Sequence, residues 1–113
     1  EAMQEFVNPL ADLGDKVTKL TTELGMKAFA NPDEVGAAAV DYLRVVGHLC
    51  FAYFFARSAK IALAKQDSGD PFYTAKLATA RFYFAKLLPE TAGLIRSARA
   101  GVAPLMAMDE ALF

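Results

Sequence analysis

Three times in 113 residues the chain sets an asparagine or aspartate directly before a proline: Asn8-Pro9, Asn31-Pro32 and Asp70-Pro71. A short carboxamide or carboxylate caps a helix, and proline at the first helical position loses nothing, because that N–H has no partner in any helix. The second pair is the strongest start, since Glu34 follows Asn31 by three residues, the spacing of a capping box. Two stops complete the punctuation, Ser68-Gly69 and Gly101, because glycine ends a helix by entering the left-handed conformation. The pattern predicts an all-α, up-down-up bundle of three long helices, about 9–30, 32–67 and 71–100, with a short C-terminal tail that is irregular apart from a helical turn. No strand-period run competes with it.

Periodicity supports each helix. Leu10, Leu13, Val17, Leu20 and Leu24 recur at steps of three and four, with Asp12, Lys16, Lys19 and Glu23 on the other side. Residues 1–7 either add a turn of helix before Pro9 or stay outside it; the pattern does not place them. The second helix is apolar on nearly all sides over 45–56, so it is expected to be central and covered on more than one side. Its Gly47, Ala52, Ala56 and Ala59 admit close neighbours. The third carries Leu77, Phe84, Leu88 and Ile95 beside Ala78, Ala85 and Ala92. Pro89 falls inside it and costs about 3 kcal/mol in a helix interior. The apolar phase holds across Pro89, which predicts a kink rather than a stop.

Composition narrows the function classes. Apolar residues are 55% of the chain, against roughly 45–50% in ordinary soluble domains even with glycine counted, so disorder is excluded. Net charge is −1 with no basic stripe, which disfavours nucleic acid as a partner. The longest apolar stretch, 45–56, falls short of the ~20 residues of a membrane span, and the first residues lack a signal-peptide pattern. One cysteine, Cys50, forms no internal disulfide; the expected compartment is the cytoplasm.

Residue types needed for several chemistries are missing. The only histidine, His48, has Val45 three positions before it, so the Glu-x-x-His of a di-iron bundle is absent. A zinc site needs more His or Cys, and no phosphate loop or nucleophile elbow occurs. No catalytic, cofactor-binding or metal-ligating residue is therefore assigned. Four contact candidates remain. His48 reads as a packed histidine bonded to a carbonyl, Tyr42 or an acid, or else as an acid/base or ligand contact. Arg81 shares a face with Leu77, Phe84 and Leu88 and requires an acid on another helix, another domain or a ligand phosphate. Arg96 and Arg99 complement the macrodipole at the third helix's end, or grip a phosphate such as that of coenzyme A. Cys50 reads as buried and inert. The aromatics come in bursts (51 and 53–55, 72–73, 82–84), and adjacent residues on a helix point apart. One small core cannot take them all, so an exposed patch, the mark of a partner surface, is expected.

The segments Tyr42-Leu43-Arg44-Val45-Val46-Gly47-His48, Phe72-Tyr73-Thr74-Ala75-Lys76-Leu77-Ala78-Thr79-Ala80-Arg81-Phe82, Leu87-Leu88-Pro89-Glu90-Thr91 and Gly101…Leu105-Met106…Phe113 carry a resemblance. In order and spacing the chain resembles, from about Asn8 onward, the C-terminal helical extension of bacterial acyl-CoA dehydrogenases of the 3-methylmercaptopropionyl-CoA dehydrogenase-like subgroup. The resemblance implies a C-terminal piece of a larger enzyme that uses FAD to remove two hydrogens from the α and β carbons of an acyl-CoA thioester. A glutamate base and the flavin belong to upstream domains, so no catalytic role passes to this chain. The expectation is a non-catalytic accessory domain that packs on the dehydrogenase core or an oligomer mate. The alternative is a small helical bundle that binds an acyl chain or CoA, with Arg81 or His48 at the mouth of its pocket. A stand-alone homodimer whose aromatic patch closes on itself is a third possibility.

Overall fold

A computed structural model describes residues 1–113, and it is helical throughout, with no strand. Helix α1 spans Gln4–Ala30, α2 Asp33–Lys65, α3 Pro71–Phe82, α4 Glu90–Arg99 and α5 Ala103–Met106. Short 3₁₀ turns, Gln66–Ser68 and Glu110–Leu112, follow α2 and end the tail. α2 is central as expected, with α1 packed on it and α3 and α4 in line along it.

Asn31 serves two helices at the first corner. Its N–H donates to the Lys27 carbonyl at 2.9 Å and closes α1, while its side chain accepts from the Asp33 N–H at 3.1 Å and opens α2. Because that N–H is already used, Glu34 does not complete the capping box; its carboxylate lies against Gly101 instead. Gly69 and Gly101 adopt φ of 84° and 78°, the left-handed stops that their positions imply.

The first helix begins earlier than its Asn8-Pro9 signal. Gln4 is its first residue, and Pro9 lies inside, forgoing one bond to the Glu5 carbonyl. Phe6 explains the extension: it is wholly buried and meets Phe84 edge-on at 5.4 Å. At about 25 cal per Å², burial of such a ring is worth about 3–4 kcal/mol, and the edge contact adds about 0.5–1.5, enough to offset the proline.

The third leg runs on past Pro89 as expected, but a break there divides it into two helices in line, α3 and α4. Between α3 and α4 the backbone widens into a π-helical turn, Tyr83–Leu87, in which the Leu88 N–H donates to the Tyr83 carbonyl at 2.9 Å. The wider turn takes up Pro89, whose ring would strike the carbonyl four residues back in a regular helix. The apolar phase survives: Leu77, Tyr83, Leu88 and Ile95 are buried, while Ala78, Ala85 and Ala92 face outward.

The body is long and thinly covered. It measures 67 × 29 × 15 Å, with a radius of gyration of 18.6 Å, where a compact chain of this length gives about 13 Å. Only 17 residues are buried, and the accessible surface is 7746 Å². A compact protein of this mass exposes about 6,100 Å², so the excess is on the order of 1,600 Å². α2 with its 3₁₀ end, Asp33–Ser68, is long and apolar enough to cross a bilayer by length and composition, so the short run 45–56 does not by itself exclude a span. Against it stand Asp41, Arg44, His48 and Arg57 along the helix and the packing of α1, α3 and α4 on its side.

Candidate functional site

The densest polar cluster joins α2 to the π turn and α4. Arg44 and His48 lie one turn apart on α2, Tyr83 opens the π turn, and Glu90 follows Pro89 as the first residue of α4. The interruption at Pro89 therefore brings Tyr83 and Glu90 against one stretch of α2. Arg44 grips Glu90 with two bonds, 2.8 and 2.9 Å. His48 Nε2 lies 2.7 Å from the same carboxylate, and Nδ1 lies 2.7 Å from the Tyr83 hydroxyl. That hydroxyl also reaches the His48 carbonyl at 3.1 Å.

The cluster satisfies its own donors and acceptors whether the His48 ring is neutral or protonated. With a neutral ring, the Tyr83 hydroxyl donates to bare Nδ1 and Nε2–H donates to Glu90. With a protonated ring, Nδ1–H donates to the tyrosine oxygen and the hydroxyl proton turns to the carbonyl. Either state is fully bonded. Burial, and then the charge of Glu90, push the Tyr83 hydroxyl up to about 12, so it stays protonated. Hydrogen bonds from Arg44 and then His48 hold the Glu90 carboxyl below the usual carboxylate range. The groups are engaged with one another and clamp the third leg to α2.

The remaining candidates separate. Arg81 does not enter the core: it is exposed and grips Glu5 of α1 with two bonds of 2.9 Å. Arg99 grips Glu23 of α1 at 2.7 and 3.1 Å, and Lys27 donates to the Arg99 carbonyl at 3.0 Å. The bonds to Arg81 and Arg99 hold Glu5 and Glu23 below their ordinary range as well. Arg96 is exposed with no acid beside it. The four candidates do not converge on one place. His48 bonds Tyr83 and Glu90 rather than Tyr42, which pairs with Thr21. Cys50 is exposed, not buried, because it lies on α2 opposite the packed face. Sequence reasoning missed the partners Glu5, Glu23, Tyr83 and Glu90; only Pro89 hinted at a special turn.

Aromatics divide as the bursts imply. Phe55, Tyr83 and Phe84 go inward, with Phe55 and Tyr83 stacked at 4.7 Å. Phe51, Tyr53, Phe54, Phe72 and Phe82 stay 47–59% exposed. The hollows are open troughs: one of about 420 Å³ beside Arg44, His48 and Phe51, another of about 330 Å³ beside Leu24, Val35 and Tyr42. A flavin ring needs a dry, enclosing slot, and the residues of these open troughs do not form one.

The fold and the cluster together define an elongated helical bundle whose charged residues bind its own helices to one another. The family described as acetyl-CoA dehydrogenase C-terminal like matches residues 1–109, and the chain belongs to that family. No curated protein matches it.

Proposed function

We propose that this chain is a non-catalytic accessory domain of an FAD-dependent acyl-CoA dehydrogenase of the 3-methylmercaptopropionyl-CoA dehydrogenase-like subgroup, acting in the cytoplasm. Its role is to cover or join protein surfaces, either the dehydrogenase core or an oligomer mate. The observation that carries this reading is the surplus of apolar surface on a chain of this family. Eighteen large hydrophobic side chains are exposed, whereas an isolated soluble domain rarely shows more than a few hundred Å² of contiguous apolar surface. The proposed parent reaction, α,β-dehydrogenation of an acyl-CoA thioester, takes no residue from this chain.

The purified chain tests the reading directly. Its absorbance spectrum is expected to show no flavin, and it is expected to turn over no acyl-CoA with a dye as electron acceptor. Calorimetric titration with an acyl-CoA is expected to release no binding heat. Bound flavin or turnover would overturn the accessory role, and saturable binding would favour a ligand-binding bundle in its place.

A further inference from the structure

The outer side of α2 carries a second helical seam, opposite the one that faces the core. Ala38, Val45, Ala52 and Ala59 point inward and are buried. On the opposite side, Val40, Leu43, Phe54 and Ile61 are 79, 73, 59 and 55% exposed. With Gly36, Gly47, Cys50 and Arg57 they recur at alternating steps of four and three, the spacing by which one helix packs along another. A single helix needs one such stripe to join its own bundle; α2 has two.

We infer that this seam is a homodimer interface, in which the α2 helices of two copies of this chain pair antiparallel about a two-fold axis between Gly47 and Cys50. The inference rests on the proposed role of the domain in joining protein surfaces and names the partner as a second copy. An isologous interface must be complementary to itself, and this seam is complementary to its own reverse. About that axis Gly36 lies opposite Ile61 of the mate, and Leu43 opposite Phe54. At the centre Gly47 meets Cys50, small against small, so the helices approach closely. Val40 meets Arg57, whose aliphatic stem covers it while the guanidinium, already over the Tyr53 ring at 5.7 Å, reaches the rim.

Charge selects the direction. The antiparallel pair sets Asp33 at the start of one helix beside Lys65 near the end of the other. A parallel pair would stack Arg57 on Arg57 and Asp33 on Asp33. Area is sufficient too. With Phe51 and Tyr53 flanking the seam, and about 150–200 Å² for each large side chain, the exposed fractions give about 650 Å² per copy when fully covered. The total lies within the roughly 1,200–2,000 Å² of stable protein–protein interfaces.

The test is sedimentation and light scattering of the whole chain over a range of concentrations, repeated for Leu43→Glu combined with Phe54→Glu. Both positions are exposed, so circular dichroism is expected to show the variant as helical as the parent. The parent is expected to dimerise reversibly and the variant to associate at least about 100-fold more weakly. Direction is read on a Cys50→Ser background by cross-linking a Gly36→Cys chain with an Ile61→Cys chain. The mixture is expected to give the mixed dimer, while Gly36→Cys alone gives none, its two thiols lying about 37 Å apart along the axis. A parent that stays monomeric, a variant that still dimerises, or efficient Gly36→Cys self-cross-linking overturns the inference. So does a monomeric parent that floats with phosphatidylcholine vesicles when the double variant does not, which would give the seam to lipid. None of these outcomes bears on flavin content or turnover, so the accessory reading fails or stands separately.

Discussion

Replacing Phe6 with alanine examines why α1 starts before its proline. The ring is wholly buried among Ala56, Ala59, Leu77 and Ala80. Cutting it back to a methyl removes about 120–150 Å² of buried apolar surface, about 3–4 kcal/mol at 25 cal per Å². Loss of the edge contact with Phe84 adds about 0.5–1.5 kcal/mol, which gives about 4 kcal/mol, within the range for buried Phe→Ala changes. The assay is urea unfolding followed by circular dichroism, at one fixed protein concentration so that association does not enter. With a slope near 2 kcal/mol per molar urea, the midpoint is expected to fall by about 2 M. Phe29→Ala is the control: that ring is 95% exposed, and its loss is expected to stay within about 0.5 kcal/mol. A Phe6→Ala loss below about 1 kcal/mol would refute the argument that the burial of this ring holds the turn ahead of Pro9.

Further outcomes follow from the same geometry. Tyr83→Phe leaves the clamp on His48 one hydroxyl short and is expected to cost about 1–3 kcal/mol, measured by the same unfolding. Gly101→Ala meets two penalties, the positive φ and a new Cβ 3.0 Å from Glu34 Oε2; thermal unfolding is expected to show about 2 kcal/mol. Gly69→Ala has open space around it and is expected to cost about 1 kcal/mol. Acid titration followed by circular dichroism reads the ion pairs. Glu5, Glu23 and Glu90 are held below their ordinary 4.5, so their contribution is complete above that pH and is lost as pH falls through the lowered values. Arg81→Gln is expected to remove the Glu5 share and make that acid loss shallower.

Local chemistry written in the sequence carried over where one residue decides it. Gly69 and Gly101 stop helices because only glycine takes those φ values freely, and the Leu13, Val17 and Leu20 stripe is buried because its period is helical. What escaped depends on distant residues. Asn8-Pro9 looks like a helix start, but burial of Phe6 across the bundle outweighs that local signal. Cys50 was expected inside because an apolar run does not say which side meets a partner. The acids that hold Arg81 and Arg99 both lie 76 residues away, and no spacing rule reaches that far. Tyr83 joins His48 through a π turn, whose only trace in the sequence is one proline.

The corner at Asn31 has a mechanical consequence. One side chain and its own N–H fasten the end of α1 and the start of α2, leaving no slack between them. A residue inserted there would turn α2 by about 100° relative to α1. Both stripes on α2 would then swing out of alignment together, inner and outer alike. The joint sets the heading of the whole long helix, so the length of the corner is a part of the surface it aims.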